Sequence, residues 1–313
     1  MSEKVDYIHK DFVITTEKPI DKIFISHSQF ALYKQCPHHW KLKYIDKIKE
    51  YTPTIHTIFG TAMHRVIQEW IQLLYLETVK LSNEYDFRKK LMEYLKEEYK
   101  INYEKNNNVM FTTKEELSEF YLQGCEIMMW LIKKRKAFFD KKHEELIGIE
   151  LPLFYEVNGV VLIAYLDAVF KDKFTGKIII RDFKTSKSGW SDYEKKNETK
   201  VSQLILYKIY FAKQYNIPVD QIDIEYLILK RKVNTDLAYP IPRVSSFIPA
   251  NGSITQKKVI NMFESFIDEC FIEGKYNSEK QYLANAGWNG FNCKFCEFAS
   301  NEELCPTKNR QFE

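Results

Sequence analysis

No stretch of this 313-residue chain stays apolar for the roughly 20 residues that a membrane-crossing helix needs, which excludes a helical membrane protein. The opening Met1-Ser2-Glu3-Lys4-Val5-Asp6 lacks the basic and apolar blocks of a secretory signal. The expectation is a cytoplasmic protein with no membrane partner. Charge of neither sign dominates. Forty-six Lys and Arg against 43 Asp and Glu leave a formal +3, too little to argue by itself for a polyanionic partner. The basic runs Lys133-Lys134-Arg135-Lys136 and Lys230-Arg231-Lys232 read as solvated faces. No Gly-x-x-x-x-Gly-Lys-Ser/Thr run occurs, so a P-loop motor is absent. Glycine is scarce and tyrosine and lysine abundant, a bias that fits an AT-rich coding sequence and carries no chemistry.

What is present is the composition of a soluble globular protein, 45% hydrophobic and 28% charged, long enough for one elaborated domain or two. Six cysteines in a reducing compartment argue against a disulfide framework. Three of them, Cys293, Cys296 and Cys305, crowd the C-terminal end; Cys36 stands near the N-terminus. Cys125 and Cys270 fall within helical patterns and read as buried packing residues.

The patterns divide the chain into 1–58, 59–145, 146–250 and 251–313. Residues 1–25 read as irregular, and Ser26 or Ser28 caps a first helix that Pro37 closes or bends. A second helix is expected from Phe59-Gly60 through Leu74. A charged helical region then runs to about 145, broken at Asn106-Asn107-Asn108, with its second piece expected from Lys114 to Phe139. Strand-like runs follow at 148–157, 160–170 and 177–183, then a helix over 201–215 and a strand over 222–229. A short strand at 244–248, a helix at 255–272 and a cysteine-rich tail end the chain. This is an α/β protein with its core near 146–235 and helical decoration before it.

The chemistry concentrates in one hairpin. Asp167 sits in the run Leu162–Phe170 and Asp182-Phe183-Lys184 ends the next, with Lys171–Gly176 as the turn. A hairpin sets the two carboxylates side by side, and alternation puts Asp182 and Lys184 on one face with Phe183 on the other. Two carboxylates and an ammonium on one face are costly to bury unless they pair with a divalent cation and an anion; Mg²⁺ and a phosphate fit. Around the hairpin stand His64 in Gly60-Thr61-Ala62-Met63-His64, Glu150 in the preceding strand, and Thr185-Ser186 just after Lys184. Gln203 and Tyr207 lie i, i+4 on one helix face. Taken singly, each also reads as an ordinary packed or solvated residue.

In this order, the set Gly60 with His64, Glu150, Asp167, Asp182 with Lys184, and Gln203 with Tyr207 resembles the RecB-like branch of the PD-(D/E)XK nuclease superfamily. The resemblance runs from about Ile25 to the C-terminus and leaves 83–145 as a helical insertion. It implies a restriction-endonuclease-like core, a mixed sheet flanked by helices. It implies too a Mg²⁺- or Mn²⁺-dependent DNA exonuclease on single strands or duplex ends, leaving 5′-phosphate and 3′-hydroxyl products. His64 and the Phe183 carbonyl would join Asp167 and Asp182 as metal ligands, and Gln203 and Tyr207 would help place the strand and Lys184. Trp190 and Tyr193 read as core residues or as platforms for a base.

Cys293-x₂-Cys296-x₈-Cys305 is a metal-ligand spacing. No histidine follows His143, so a local Cys₃His zinc site is excluded and Cys36 becomes the best fourth thiolate. This arrangement looks like the iron–sulfur staple of AddB-type subunits and of the nucleases of CRISPR adaptation. By that resemblance Cys36, Cys293, Cys296 and Cys305 hold a structural 4Fe–4S cluster, with a helicase, recombination or CRISPR adaptation partner; DNA repair and phage DNA processing are further settings. A structural Zn²⁺ on four cysteines, or with His38 or His39 replacing Cys36, is the competing reading. Two other functions stay open, a catalytically silent nucleic-acid-binding scaffold of the same fold and a zinc-stapled RNA-processing nuclease.

Overall fold

The computed structural model describes residues 6–48, 53–234, 239, 241–294 and 296–312; residues 1–5, within the stretch read as lacking a signal, lie outside the described residues. The N-terminal stretch expected to be irregular holds two short strands, β1 (Tyr7–Ile8) and β2 (Phe24–Ile25). Ser26 then accepts a hydrogen bond from the Gln29 amide and starts α1 (His27–Gln35), so Ser26 rather than Ser28 is the cap. Pro37 opens α2 (Pro37–Tyr44), where a missing N–H costs nothing. Helix α3 (Ile55–Leu76) begins before Phe59 because the Thr54 side chain caps it at the Thr57 amide.

Helices α4 (Val79–Glu84), α5 (Phe87–Lys105) and α6 (Lys114–Lys133) fill the charged region. Asn107 and Asn108, with φ of 53° and 60°, follow the end of α5. Helix α6 stops short of the expected Phe139. Its basic end offers no apolar face, and the chain tightens into a 3₁₀ turn at Arg135–Ala137.

The strands β3 (Glu144–Val157), β4 (Val160–Asp172) and β5 (Ile178–Ser186) form a meander. After α7 (Asp192–Lys196) and α8 (Glu198–Tyr215), β6 (Ile222–Lys230) returns parallel to β5, and β7 (Val244–Phe247) pairs antiparallel with β6. The sheet order is β1-β3-β4-β5-β6-β7, with β2 parallel to the start of β4. Helix α9 (Ser253–Cys270) follows, then the β8–β9 hairpin (Phe271–Ile272, Lys275–Tyr276). In the tail, β10 (Ala284–Asn285) pairs with β11 (Arg310–Gln311).

Alternation along the strands sends apolar side chains to both faces, so both must be covered. One face packs Ile180, Ile224 and Ile228 against α1, α8 and α9. The other packs Phe170, Phe183 and Leu229 against α3, α5 and α6. No helix among the described residues is long and apolar enough to cross a membrane.

Two buried features tie this frame to the site. Trp40, fully buried on α2, meets Tyr33, Phe266, Phe271, Tyr276 and Tyr282, so α1–α2 are held to α9 and the tail. Arg181, beside Asp182, makes paired hydrogen bonds to Glu144 at 2.8 and 2.6 Å and a third to Glu225 at 2.8 Å. Its guanidinium also lies 4.8 Å from the centre of the Phe170 ring. Removing one partner from such a cluster leaves buried charge uncompensated, at a cost of about 3–5 kcal/mol. Urea unfolding of Arg181→Ala is expected to show a loss of that size; a loss below about 1 kcal/mol would mean that the cluster contributes little.

Candidate active site

The site lies where the sheet changes phase. Along β3, Leu153 and Leu151 face the α8 side but Ile149 faces the α3 side. Along β4, Ala164 and Leu166 face the α8 side and Ala168 the α3 side. Residues two apart normally share a face, so both strands reverse at Glu150 and Asp167. The ladder pairs Leu151 with Leu166 and Ile149 with Ala168, leaving those two carboxylates at the reversal. Glu150 turns through φ of +50°, a conformation that residues with a side chain rarely adopt. Strain of this kind persists only where surrounding contacts enforce it.

Here Gln68 does so. Its amide donates to Glu150 Oε1 at 2.7 Å and to the Asp167 carbonyl at 3.2 Å. Sequence reasoning missed Gln68, although it stands i+4 from His64 on α3, one helical turn along the same face.

The β4–β5 ladder reaches Ala168–Arg181 and stops. Beyond it the Phe183 amide turns to the Asp167 side chain, donating to Oδ2 at 2.7 Å. The Phe183 carbonyl accepts from His64 Nε2 at 2.8 Å. His64 Nδ1 stands 3.4 Å from Asp167 Oδ1. On the other face of β5, Lys184 Nζ lies 2.8 Å from Asp182 Oδ2. The structure therefore brings His64, Asp167, Asp182, Phe183 and Lys184 to one splayed strand junction, with Glu150 at its edge.

The electrostatics follow from crowding. Burial disfavours the Asp182 carboxylate, Lys184 offsets part of that, and Asp167 adds repulsion; the carboxyl is pushed up to about 6. Burial also works against charge on His64, but the Asp167 carboxylate outweighs it and holds the imidazolium up to about 8. Asp167 itself is held low, because His64 and Lys184 overcome its burial. Asp182 Oδ2 is buried and accepts no aligned hydrogen bond despite the nearby ammonium. Two carboxylates, a carbonyl and an imidazole are a donor set that suits a hard divalent cation.

Gln203 donates to Tyr207 Oη at 2.9 Å, so the pair on α8 is joined. Burial and the Asp182 carboxylate raise the Tyr207 phenol, which stays protonated. A cleft of about 630 Å³ opens beside Lys184, Thr185 and Gln203. Trp190 is not a free platform: it is packed against Tyr226 and Phe247 with Lys200 Nζ 4.5 Å from its ring centre. Tyr193 is 80% exposed and lines the cleft.

The second constellation also converges. Cys36, Cys293, Cys296 and Cys305 line one small cavity between α2 and the tail, with His38 and His39 beside them. Cys36 Sγ caps α2 at the His39 amide and accepts from the Asn285 amide at 3.4 Å. His38 Nε2 donates to the Leu304 carbonyl at 2.7 Å, which closes the tail onto α2. Among the described residues, the group of three ligand atoms within 4.8 Å of one another is His39, Cys296 and Glu297. Cys125 and Cys270 are buried, as expected.

With this geometry in place, the comparisons decide the family. A family model of the PD-(D/E)XK nuclease superfamily matches residues 25–305. The chain belongs to the PD-(D/E)XK nuclease superfamily. Its mixed sheet, covered by helices on both faces, is consistent with that superfamily, whose members are typically nucleases that use divalent metals. No curated protein matches the chain. Among solved structures, one titled "Crystal structure of SSO0001" is similar at 15% identity, with 90% of this chain and 96% of that chain covered. The TM-score is 0.31.

The raised Asp182 carboxyl has a consequence for stability. The fold prefers its protonated form, so its contribution is full below about pH 4 and is lost as pH rises through about 6. In metal-free protein above that range, Asp182 costs up to about 3 kcal/mol. Asp182→Asn, melted in EDTA, is expected to be more stable than the wild type at pH 8, with the gain vanishing toward pH 4. An equal or lower melting temperature at pH 8 would contradict the assignment.

Proposed function

We propose that this chain is a divalent-metal-dependent deoxyribonuclease acting on single strands or duplex ends. The observation that carries the reading is the convergence of His64, Asp167, Asp182, the Phe183 carbonyl and Lys184 at one strand junction, with Lys184 also lining a cleft. Asp167, Asp182, His64 and the Phe183 carbonyl would hold Mg²⁺ or Mn²⁺. When bound, such an ion supplies a Lewis acid for the phosphoryl oxygens and lowers the pKa of a bound water.

The chain's own residues do the rest. Burial pulls the Lys184 ammonium down, but Asp182 and Asp167 more than compensate, so it remains charged. Lys184 thus serves as a fixed cation that orients the attacking water and faces the charge developing on phosphate, not as a proton acceptor. Thr185 lies beside it at the cleft and offers a hydroxyl to a phosphate oxygen. Gln203, tied to Tyr207, lines the same cleft and positions the strand near Lys184. Gln68 holds Glu150 and the Asp167 backbone in the turned geometry on which the site rests. Hydrolysis of this kind leaves 5′-phosphate and 3′-hydroxyl ends. Recombination, repair, phage DNA processing and CRISPR adaptation are the settings in which a strand-end nuclease is used, with a helicase or an adaptation protein as partner.

For the tail we propose a structural 4Fe–4S cluster on Cys36, Cys293, Cys296 and Cys305, supported by their sharing one cavity. A specific observation favours zinc as a second reading: His39, Cys296 and Glu297 are grouped closely enough for a single ion. Iron and sulfide analysis of anaerobically purified protein separates them. A brown protein with near-equal iron and sulfide supports the cluster; a colourless one with stoichiometric zinc rules it out.

Activity is tested with end-labelled linear and circular single-stranded DNA, with Mg²⁺ or Mn²⁺ and with EDTA. Linear strands are expected to be degraded from an end, circles to resist, and EDTA to abolish cleavage. Circles cut as fast as linear strands would refute an exonuclease. Lys184→Ala is expected to lower the rate by about a hundredfold or more; full activity in that variant would remove the lysine from the mechanism.

A further inference from the structure

The cleft beside Lys184 has two features that the metal chemistry does not use. The first is its charge: Lys34, Lys184 and Lys200 line it, and among the described residues no carboxylate does, in a chain with 43 Asp and Glu. Lys200 is paired with Glu194 at 2.6 Å and Lys184 with Asp182 at 2.8 Å, so the carboxylates that balance these two ammoniums sit outside the cleft lining. The second is a pair of exposed rings from separate parts of the chain. Tyr193, on α7, is 80% exposed, and Phe291, in the cysteine-rich tail, is 63% exposed.

An exposed ring in a basic cleft has an obvious cost and one obvious use. Apolar surface left in water is unfavourable, whereas a nucleobase offers a flat face to cover it. The cleft volume of about 630 Å³ is that of a small-molecule pocket and has room for a nucleotide or two. Trp190 is already covered by Tyr226 and Lys200, whereas Tyr193 and Phe291 keep most of their surface exposed.

The wall that bears Phe291 is fixed by its neighbours. Asn292 donates to the Gln35 carbonyl at 2.9 Å, and Cys293 follows at the cysteine cavity. The asparagine bond thus ties this stretch of the tail to α1, the helix that supplies Lys34 to the cleft.

Resting on the nuclease reading above, we propose that Tyr193 and Phe291 stack on unpaired bases next to the scissile phosphate and make the site selective for single strands. The C-terminal cysteine segment then has a second role, as one wall of the strand channel.

The test is equilibrium binding of an oligonucleotide carrying 2-aminopurine near its end, in EDTA, followed by anisotropy and by quenching of the base. Wild type is expected to quench. Tyr193→Ala and Phe291→Ala are each expected to weaken single-strand binding by roughly five- to a hundredfold and to lose quenching, with Tyr193→Phe retaining both. Blunt-duplex affinity is expected to stay within about twofold, and thermal melts to match the wild type. If both alanine variants bind and quench as the wild type does, or if the wild type does not bind single strands, the proposal is wrong. A proportional loss of duplex binding also overturns it, since stacking on unpaired bases would not act there. Failure of the nuclease reading looks different: stacking signals persist while no metal supports cleavage.

Discussion

The hydrogen bond from the Phe183 amide to Asp167 holds the site together. Where β4 and β5 part, a buried N–H needs a partner, since leaving it unmade costs about 1–3 kcal/mol. Asp167 supplies it, and in doing so its carboxylate is fixed beside Asp182 and His64. The carbonyl of the same residue accepts from His64. One strand separation therefore presents the Asp167 carboxylate and the Phe183 carbonyl together.

That separation is imposed from outside the hairpin. Glu150 reverses the sheet's phase at a left-handed residue, and Gln68 on α3 grips both sides of the reversal. Helix α3 thus carries both the imidazole that bonds the Phe183 carbonyl and the amide that spans the reversal. The price is visible in Asp182, whose carboxyl the fold would rather keep protonated. Excess charge at a site is a stability cost that a bound cation and an anionic substrate relieve.

Much of this was legible in the sequence. Alternation placed Asp182 and Lys184 together and Phe183 on the other side, and the structure has them so. Strand and helix order around the hairpin was equally readable from periodicity. What escaped had no periodic signature. A two-residue strand such as Tyr7–Ile8 is too short to show alternation. The phase reversal at Glu150 depends on a contact with Gln68, distant in sequence, and nothing local demands a left-handed glutamate. Trp190 and Tyr193 looked equivalent as aromatic residues; packing against Tyr226 separates them. Phe291 joins the cleft only because the tail folds back onto α1, which depends on the tertiary closure around Trp40 and Cys36.

The splayed β4–β5 junction is proposed as a cation site. Anomalous diffraction from crystals soaked in Mn²⁺ tests it most directly. A manganese peak is expected, bounded by Asp167, Asp182, His64 and the Phe183 carbonyl, with the His64–Phe183 hydrogen bond broken. An undisturbed His64–Phe183 bond, with no peak at the junction at saturating Mn²⁺, would contradict it.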